Sequence, residues 1–580
     1  MATPKGIRYI PAIDGLRAIA VIAVILYHLG FNWIPGGFLG VDLFFVISGY
    51  VITRLLLDSI QRSGGLDLRG FYAGRIRRLI PPLLFMLVVT AIFVGVWAPD
   101  SMKRFLIDAP FAMTGLMNWW LVFKHQDYFE SFGRPPLLQH TWSLGVEAQY
   151  YLLWPLILLF VLKVFGKKVI PTAALAIASF SGVALFLASI RADITSTQDV
   201  SHVYFGTDTH SIGLFLGSAL AVSWIPQNLR INIEKRAQDF IDFIGVFGLI
   251  GLLASFLFIQ EADPTAYRIA FPLVGIFGSA IIMSVVHPAS RFAPLLQHPF
   301  LVWIGERSYA IYLWHWIVFQ VTRPAQDLTG SIWALYVFRI LVVFALADIS
   351  QRWIEVPVRH GAISNWVRGM KYRTKEVQRR QKASAGIVAL TLLATIAVIS
   401  NNAIAIADKN NEVVKQMFKD DQVATISKVE GLWVVGDSVI LGIRNVLEST
   451  QHIGLINARV GRQASELLEV IQHDKAKMVG QKTVINLGNN NRLTSSEVKA
   501  IFEELKDQPL VVIVNTAVPR SWRDENNSLI ANEALNYPNF RVVDWAMKSE
   551  NHPEYFAPDG VHLIPAGIAA YVSAITNYLY

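Results

Sequence analysis

Leu432–Gly442 reads LWVVGDSVILG. An apolar run stops at Gly436-Asp437-Ser438, and a second apolar run begins at once. This is the pattern of a strand, a tight turn and the first turn of a helix. A serine in such a turn holds its hydroxyl near a helix N-terminus, where main-chain amides can stabilise an oxyanion. The alternative for a lone Gly-Asp-Ser is a helix-capping serine with no chemistry.

Working outward, short runs rich in β-branched residues recur at 432–435, 453–457, 483–487, 510–515 and 540–543, separated by polar helical segments. Strands alternating with helices predict an α/β/α three-layer domain with a parallel sheet covered on both faces. About 150 residues suffice for one such domain. Near the C-terminus, APDGVHLIPAG (557–567) places Asp559 and His562 three residues apart before a final helix. A nucleophilic serine needs a base, and the base an orienting acid. His562 and Asp559 are candidates, against the plainer reading of a polar turn. ARVGRQ places Gly461 after one predicted strand, and NLGNNN places Gly488 and Asn490 after another. Open α/β sheets bind ligands at the C-terminal ends of their strands, so four such elements in order reinforce one another.

On Gly436-Asp437-Ser438, Gly461, Gly488-x-Asn490 and Asp559-x-x-His562, the segment 431–580 resembles the SGNH hydrolase superfamily, with a flavodoxin-like fold. The resemblance implies Ser438 as nucleophile, His562 as base and Asp559 as acid. It also implies an oxyanion hole from the Ser438 and Gly461 amides and the Asn490 side chain, with Asp437 structural. Asn489 stands where many members have threonine.

The rest of the chain differs in kind. The whole chain of 580 residues is 53% hydrophobic and 16% charged, the latter well below the ~25% of soluble domains. Apolar stretches of span length occur near 10–30, 38–57, 83–98, 143–162, 169–190, 208–225, 240–259, 269–287, 303–320 and 332–355, with an eleventh near 385–403. Residues 104–122 read as a re-entrant or interfacial helix. The first stretch starts basic but carries Asp14, Arg17 and His28 and lacks a small-x-small cleavage site, so it reads as a retained helix rather than a signal peptide. The net charge is +8. Arg69, Arg75, Arg77, Arg78, Lys163, Lys167, Lys168, Arg230, Lys235, Arg236 and the stretch VRGMKYRTKEVQRRQK fall in alternate loops. The positive-inside rule then places the N-terminus in the cytoplasm and residues 431–580 outside the membrane. This accounts for the charge without nucleic acid. There is no cysteine, which excludes disulfides and thiolate metal sites, and no metal motif stands out. The expected organisation is a membrane domain over 1–360, a basic loop and eleventh span over 361–403, a linker over 404–430 and the α/β domain over 431–580.

Ionisable residues within spans are costly and default to function. Arg17 and His28 are eleven residues apart, about three helical turns, so they share a face some 16 Å apart along the axis. They mark a polar track, or else pin neighbouring helices. Arg75 and Arg78 suit the phosphates of an anionic donor, or serve topology alone. HTWSLGVE puts His140 and Glu147 at the outer start of a span, and FFVISGYVIT puts Ser48-Gly49 within one, where small residues allow close packing or a cavity.

Arg17-x10-His28, FFVISGY, Arg75-x-x-Arg78, HTWSLGVE, SYAIYLWH (Ser308–His315) and RWIEVP (Arg352–Pro357) together resemble the acyltransferase 3 family. The resemblance implies a ten-span domain taking an acyl group, usually acetyl, from cytoplasmic acyl-CoA, here acetyl-CoA as the expected donor. By the same resemblance His28 would act at the transfer site, and Arg75 and Arg78 would lie near the coenzyme; from their places in the spans, Arg17, Glu147 and Ser48 are expected to form a polar site. The two halves together resemble bacterial envelope O-acetyltransferases, and ARVGRQ and NTAVPRSWRDENN resemble those that act on peptidoglycan in Gram-positive bacteria. The expected activity is thus a plasma-membrane O-acetyltransferase moving acetyl onto sugar hydroxyls of an envelope polysaccharide, first among them peptidoglycan. The alternatives are another surface glycan (O-antigen, capsule, teichoic acid or glycolipid), or an acyl-translocating membrane domain carrying an esterase.

Overall fold

The computed structural model describes residues 9–31, 33–123, 136–191, 201–260, 266–322, 333–417, 422–426, 430–520, 522–557 and 560–580. Among the described residues every regular element up to Met417 is a helix, and the elements after it form a sheet flanked by helices.

Among the described residues nine helices are long and apolar enough to cross a membrane, and the chain is a multi-span membrane protein. Two of the eleven expected spans are not among the nine. Near 208–225 the helix is only Ile212–Ser223, preceded by the short turns Ser201–Phe205 and Thr207–His210. Twelve residues rise about 18 Å, short of the ~30 Å hydrocarbon core. Near 303–320 the Pro299–Val321 helix is long enough, but Arg307, Ser308, His315 and Gln320 lie buried along it. A helix surrounded by other helices, not lipid, has no need to be apolar all round. Residues 102–123 form two short helices, Met102–Thr114 and Met117–Phe123.

The third helix corrects the expected loop after the second span. It runs Leu68–Trp97, capped by Asp67, whose Oδ1 accepts from the Gly70 amide at 2.8 Å. Arg69, Arg75, Arg77 and Arg78 are therefore residues of its first turns. Backbones meet closely at two crossings. The Pro11–His28 helix runs along Pro299–Val321, and Gly40–Ser63 along Ile212–Ser223. A Cβ on Gly305 would lie 1.8 Å from the Asp14 carbonyl oxygen, and one on Gly49 would lie 1.9 Å from that of Leu214. Small residues at such points are how membrane helices gain packing without a hydrophobic driving force.

The segment 404–430 is not a plain linker. The last membrane helix continues unbroken from Lys375 to Met417. Gln422–Ile426 is then a strand, β1, followed by β2 (Leu432–Gly436), β3 (Ile453–Arg459), β4 (Thr483–Asn486), β5 (Val511–Val514) and β6 (Phe540–Val543). The sheet order is β1-β3-β2-β4-β5-β6. β2 to β6 pair parallel, whereas β1 adds antiparallel to β3 with Gln422 opposite Arg459 and Ile426 opposite Leu455. The five parallel strands have the order of the flavodoxin-like doubly wound fold. Alternate side chains of each strand enter opposite layers, Val434 one core and Trp433 and Val435 the other. The chain reverses direction at β2, so the C-terminal end of β2 is the topological switch point, where ligands bind in such sheets. Gly436-Asp437-Ser438 is there.

Candidate active sites

Ser438 is the first residue of the Ser438–Thr450 helix, and Asp437 is its N-cap, its Oδ1 accepting from the Val439 amide at 2.9 Å. The Ser438 side chain is fully buried, and its Oγ has no hydrogen-bond partner among the described residues. A buried hydroxyl without a partner is costly, and a catalytic role is one reason for a fold to keep such a group.

The ends of the neighbouring strands converge on Asp437. Its Oδ2 accepts from Asn489 Nδ2 at 2.9 Å and from Asn490 Nδ2 at 3.2 Å. Asn490 Nδ2 also donates to the Arg462 carbonyl at 2.9 Å. Arg462 turns back under the site, with Nη1 on the carbonyls of Gly436 (2.9 Å) and Asn457 (2.6 Å) and Nη2 on Asn457 Oδ1 (2.7 Å). Thr516, after β5, donates to Asn489 Oδ1 at 2.5 Å. Gly461 holds φ +72°, the left-handed turn that lets Arg462 reach in. Burial pushes the Asp437 carboxyl up to about 6, while hydrogen bonds from Val439 and Asn489 and the positive field of His562 and Arg462 oppose the rise.

Thus Ser438, Gly461 and Asn490 lie on adjacent strand ends, and His562, itself buried, comes close enough for its charge to act on Asp437. His562 is fixed by a short antiparallel return in which the Ala557 amide donates to the His562 carbonyl at 2.7 Å. Asp559 lies outside the described residues. Both hydrogens of the Asn490 amide are engaged, so this side chain reaches a substrate oxygen only by giving up one of its two acceptors. Sequence reasoning missed the parts of Arg462, Asn489 and Thr516. Their signal is polar side chains immediately after β-strands, which is visible in hindsight.

The membrane region holds a cavity of about 1260 Å³, whose wall includes Arg17, Ser48, Arg75, Arg78 and Glu147. Ser48 Oγ donates to Glu147 Oε1 at 2.6 Å and Tyr151 OH to Glu147 Oε2 at 2.9 Å. Arg17 pairs with Asp14 at 3.2 Å. Arg54 and Arg359 add to the cationic wall, which suits an anionic ligand. Of the membrane residues expected from sequence, His28 and His140 do not line this cavity. His28 sits at the far end of its helix, Nδ1 donating to the Val24 carbonyl at 2.9 Å, its ring against Trp316 and His315.

A family model described as "Acyltransferase domain", the acyltransferase 3 family, matches residues 10–352. The chain belongs to this acyltransferase family. Relatives of this acyltransferase 3 member extend over the α/β domain as well. It is 33% identical to peptidoglycan O-acetyltransferase OatA of Listeria monocytogenes, over 99% of this chain and 98% of that protein. It is 36% identical to O-acetyltransferase OatA of Staphylococcus aureus, over 98% of this chain and 96% of that protein. With the putative peptidoglycan O-acetyltransferase YrhL of Bacillus subtilis the identity is 31%, over 98% of each. Among solved structures, the C-terminal catalytic domain of Streptococcus pneumoniae peptidoglycan O-acetyltransferase A, carrying a methylsulfonyl adduct, matches at 23% identity and a TM-score of 0.24, over 26% of this chain and 92% of that one.

Proposed function

We propose that this protein O-acetylates peptidoglycan outside the cell membrane, using acetyl taken from cytoplasmic acetyl-CoA. The observation that carries the reading is Ser438: a buried, unpartnered hydroxyl at the switch point of the sheet and the N-terminus of a helix. Near full-length similarity to proteins named for this reaction supports the acceptor.

In this reading the cavity receives acetyl-CoA, with Arg75 and Arg78 toward its phosphates, and acetyl passes outward to Ser438. His562 takes the Ser438 proton as the oxygen attacks the acetyl carbonyl, and Asp559 orients the imidazole. The tetrahedral oxygen is met by the Ser438 and Gly461 amides and by Asn490. The longer Asn490 bond, 3.2 Å to Asp437, is the one to exchange for the oxyanion. A sugar hydroxyl then attacks the acyl-serine with His562 as base, releasing the glycan ester.

The test is mass spectrometry of O-acetylated muramic acid in wall digests of a host lacking its own enzyme. Acetylation should appear with the wild-type chain and fall by more than ~10³-fold with Ser438→Ala at equal membrane level, the scale for losing a triad nucleophile. Equal acetylation by both would overturn the serine step. Acetylation by neither would overturn the acceptor and move the search to teichoic acid, capsule or lipid-linked sugars.

A further inference from the structure

Tyr312 and His315 stand between the arginine-lined cavity and His28. On the cavity side stand Tyr312 and Ser143. Tyr312 OH donates to the His140 carbonyl at 2.8 Å and shares a hydrogen bond with Ser143 Oγ, also at 2.8 Å, so the ring is fixed in place. Behind it lies His315, its ring centroid 5.2 Å from that of Tyr312 and 5.2 Å from that of His28. The His140 ring completes the cluster 5.9 Å from His315.

The backbone fixes how these rings are protonated. A main-chain carbonyl only accepts, so a ring nitrogen facing one must carry hydrogen. His315 Nδ1 lies 2.7 Å from the Tyr312 carbonyl, and His140 Nε2 lies 3.1 Å from the Leu313 carbonyl. In the neutral rings this leaves His315 Nε2 and His140 Nδ1 as bare acceptors. Both are buried and have no hydrogen-bond partner among the described residues. By the same reasoning His28, with Nδ1 on Val24, keeps Nε2 as its basic nitrogen. A buried imidazole with a fixed tautomer and an unfilled acceptor, in ring contact with the expected base, is placed to receive a proton from that base.

We propose that His315 carries the proton between His28 and the donor cavity. The inference rests on the reading that His28 serves acyl transfer from a thioester. The thioester carbon sits at the Tyr312 wall, with sulfur on the cavity side and the attacking hydroxyl on the His28 side. The hydroxyl oxygen bonds to the acyl carbon and loses its proton to His28 Nε2. The carbon–sulfur bond breaks, and its electron pair leaves on sulfur. His28 passes the proton to His315 Nε2, and His315 passes it to the thiolate, which departs as the free thiol. Both rings end neutral. Among the described residues the titratable side chains in ring contact with His315 are His28, His140 and Tyr312.

The experiment uses the full chain in permeabilised cells given radiolabelled acetyl-CoA, with label counted in the wall. His315→Gln should lower kcat by about 10²-fold or more, the usual scale for a lost acid–base group, with KM for acetyl-CoA unchanged. His315→Ala should fall equally and recover about tenfold in millimolar imidazole, a response that packing loss alone does not give. Each variant is first checked for a monodisperse peak in detergent, and the His315→Gln result stands alone where His315→Ala fails to fold. Activity within about threefold of wild type in His315→Gln, or a loss in folded His315→Ala with no imidazole recovery, would overturn the relay. If His28→Ala is inactive while either of those results holds, the His28 reading survives and the relay does not. If His28→Ala keeps its activity, both fall.

Discussion

Asp437 caps one helix and holds two asparagine side chains with a single buried carboxylate. Burial sets its proton affinity. The folded carboxyl is pushed up to about 6 from an ordinary 3.8, so the folded state binds the proton more tightly than the unfolded one. The stabilisation from that proton is complete below about pH 3.8 and lost as pH rises through about 6. The loss is roughly 3 kcal/mol. Asp437→Asn, neutral at every pH, should remove this slope. Urea unfolding of the C-terminal domain from pH 4 to 7 should show the wild type losing stability relative to the variant. Parallel curves would refute the assignment. At this scale Gly436-Asp437-Ser438, Gly461, Asn490 and His562 were legible in the sequence because each is a short motif at a strand end. The engagement of Asn490 by Asp437 and the Arg462 carbonyl was not. Those contacts join three strand ends, and no local pattern encodes which hydrogens are already taken.

Helices in the membrane region show where apolar periodicity stops informing. Lipid-facing helices were readable from hydropathy, and the Pro299–Val321 helix was placed by length, but hydropathy did not show that it is buried, with its polar residues facing other helices. The cationic start of the Leu68–Trp97 helix read as a loop, because charge density there masks a continuous helix capped at Asp67. Crossings follow from glycine. Gly305→Ala and Gly49→Ala would each drive a methyl group into a carbonyl of the partner helix, and each should cost about 1–3 kcal/mol by overpacking. Gly74, with nothing near its missing Cβ, gives the control: Gly74→Ala should be neutral or slightly stabilising, since alanine favours helix over glycine by about 1 kcal/mol. The temperature at which detergent-solubilised protein loses its monodisperse peak should fall for the first two and not for the third.

For the molecule as a whole, the division into a helical membrane part and an α/β part was plain in composition, but the boundary was not. Five residues of β1 within a polar stretch carry too little pattern to be read alone, yet they cover the edge of β3. A fragment starting at residue 431 leaves that edge open, and one starting at 420 closes it. The shorter fragment should unfold about 2–8 °C lower and aggregate more readily, as thermal melts and light scattering would show. Equal melting would mean that β1 contributes nothing to the fold.

The helix that precedes β1 also sets a distance. Its most apolar window is only 6% buried, so it touches the Leu68–Trp97 helix along one side and otherwise faces outward, and its apolar run ends at Ala407. The helix continues ten residues further, to Met417, rising about 15 Å more. Four residues then separate Met417 from Gln422, and fully extended they span at most about 19 Å. β1 therefore stays within about 35 Å of the hydrocarbon edge, on a mast rather than a loose leash. On the proposed function, this standoff confines acetylation to glycan still close to the membrane. The modification would be written as new wall emerges, and older layers farther out would keep the pattern they received at birth.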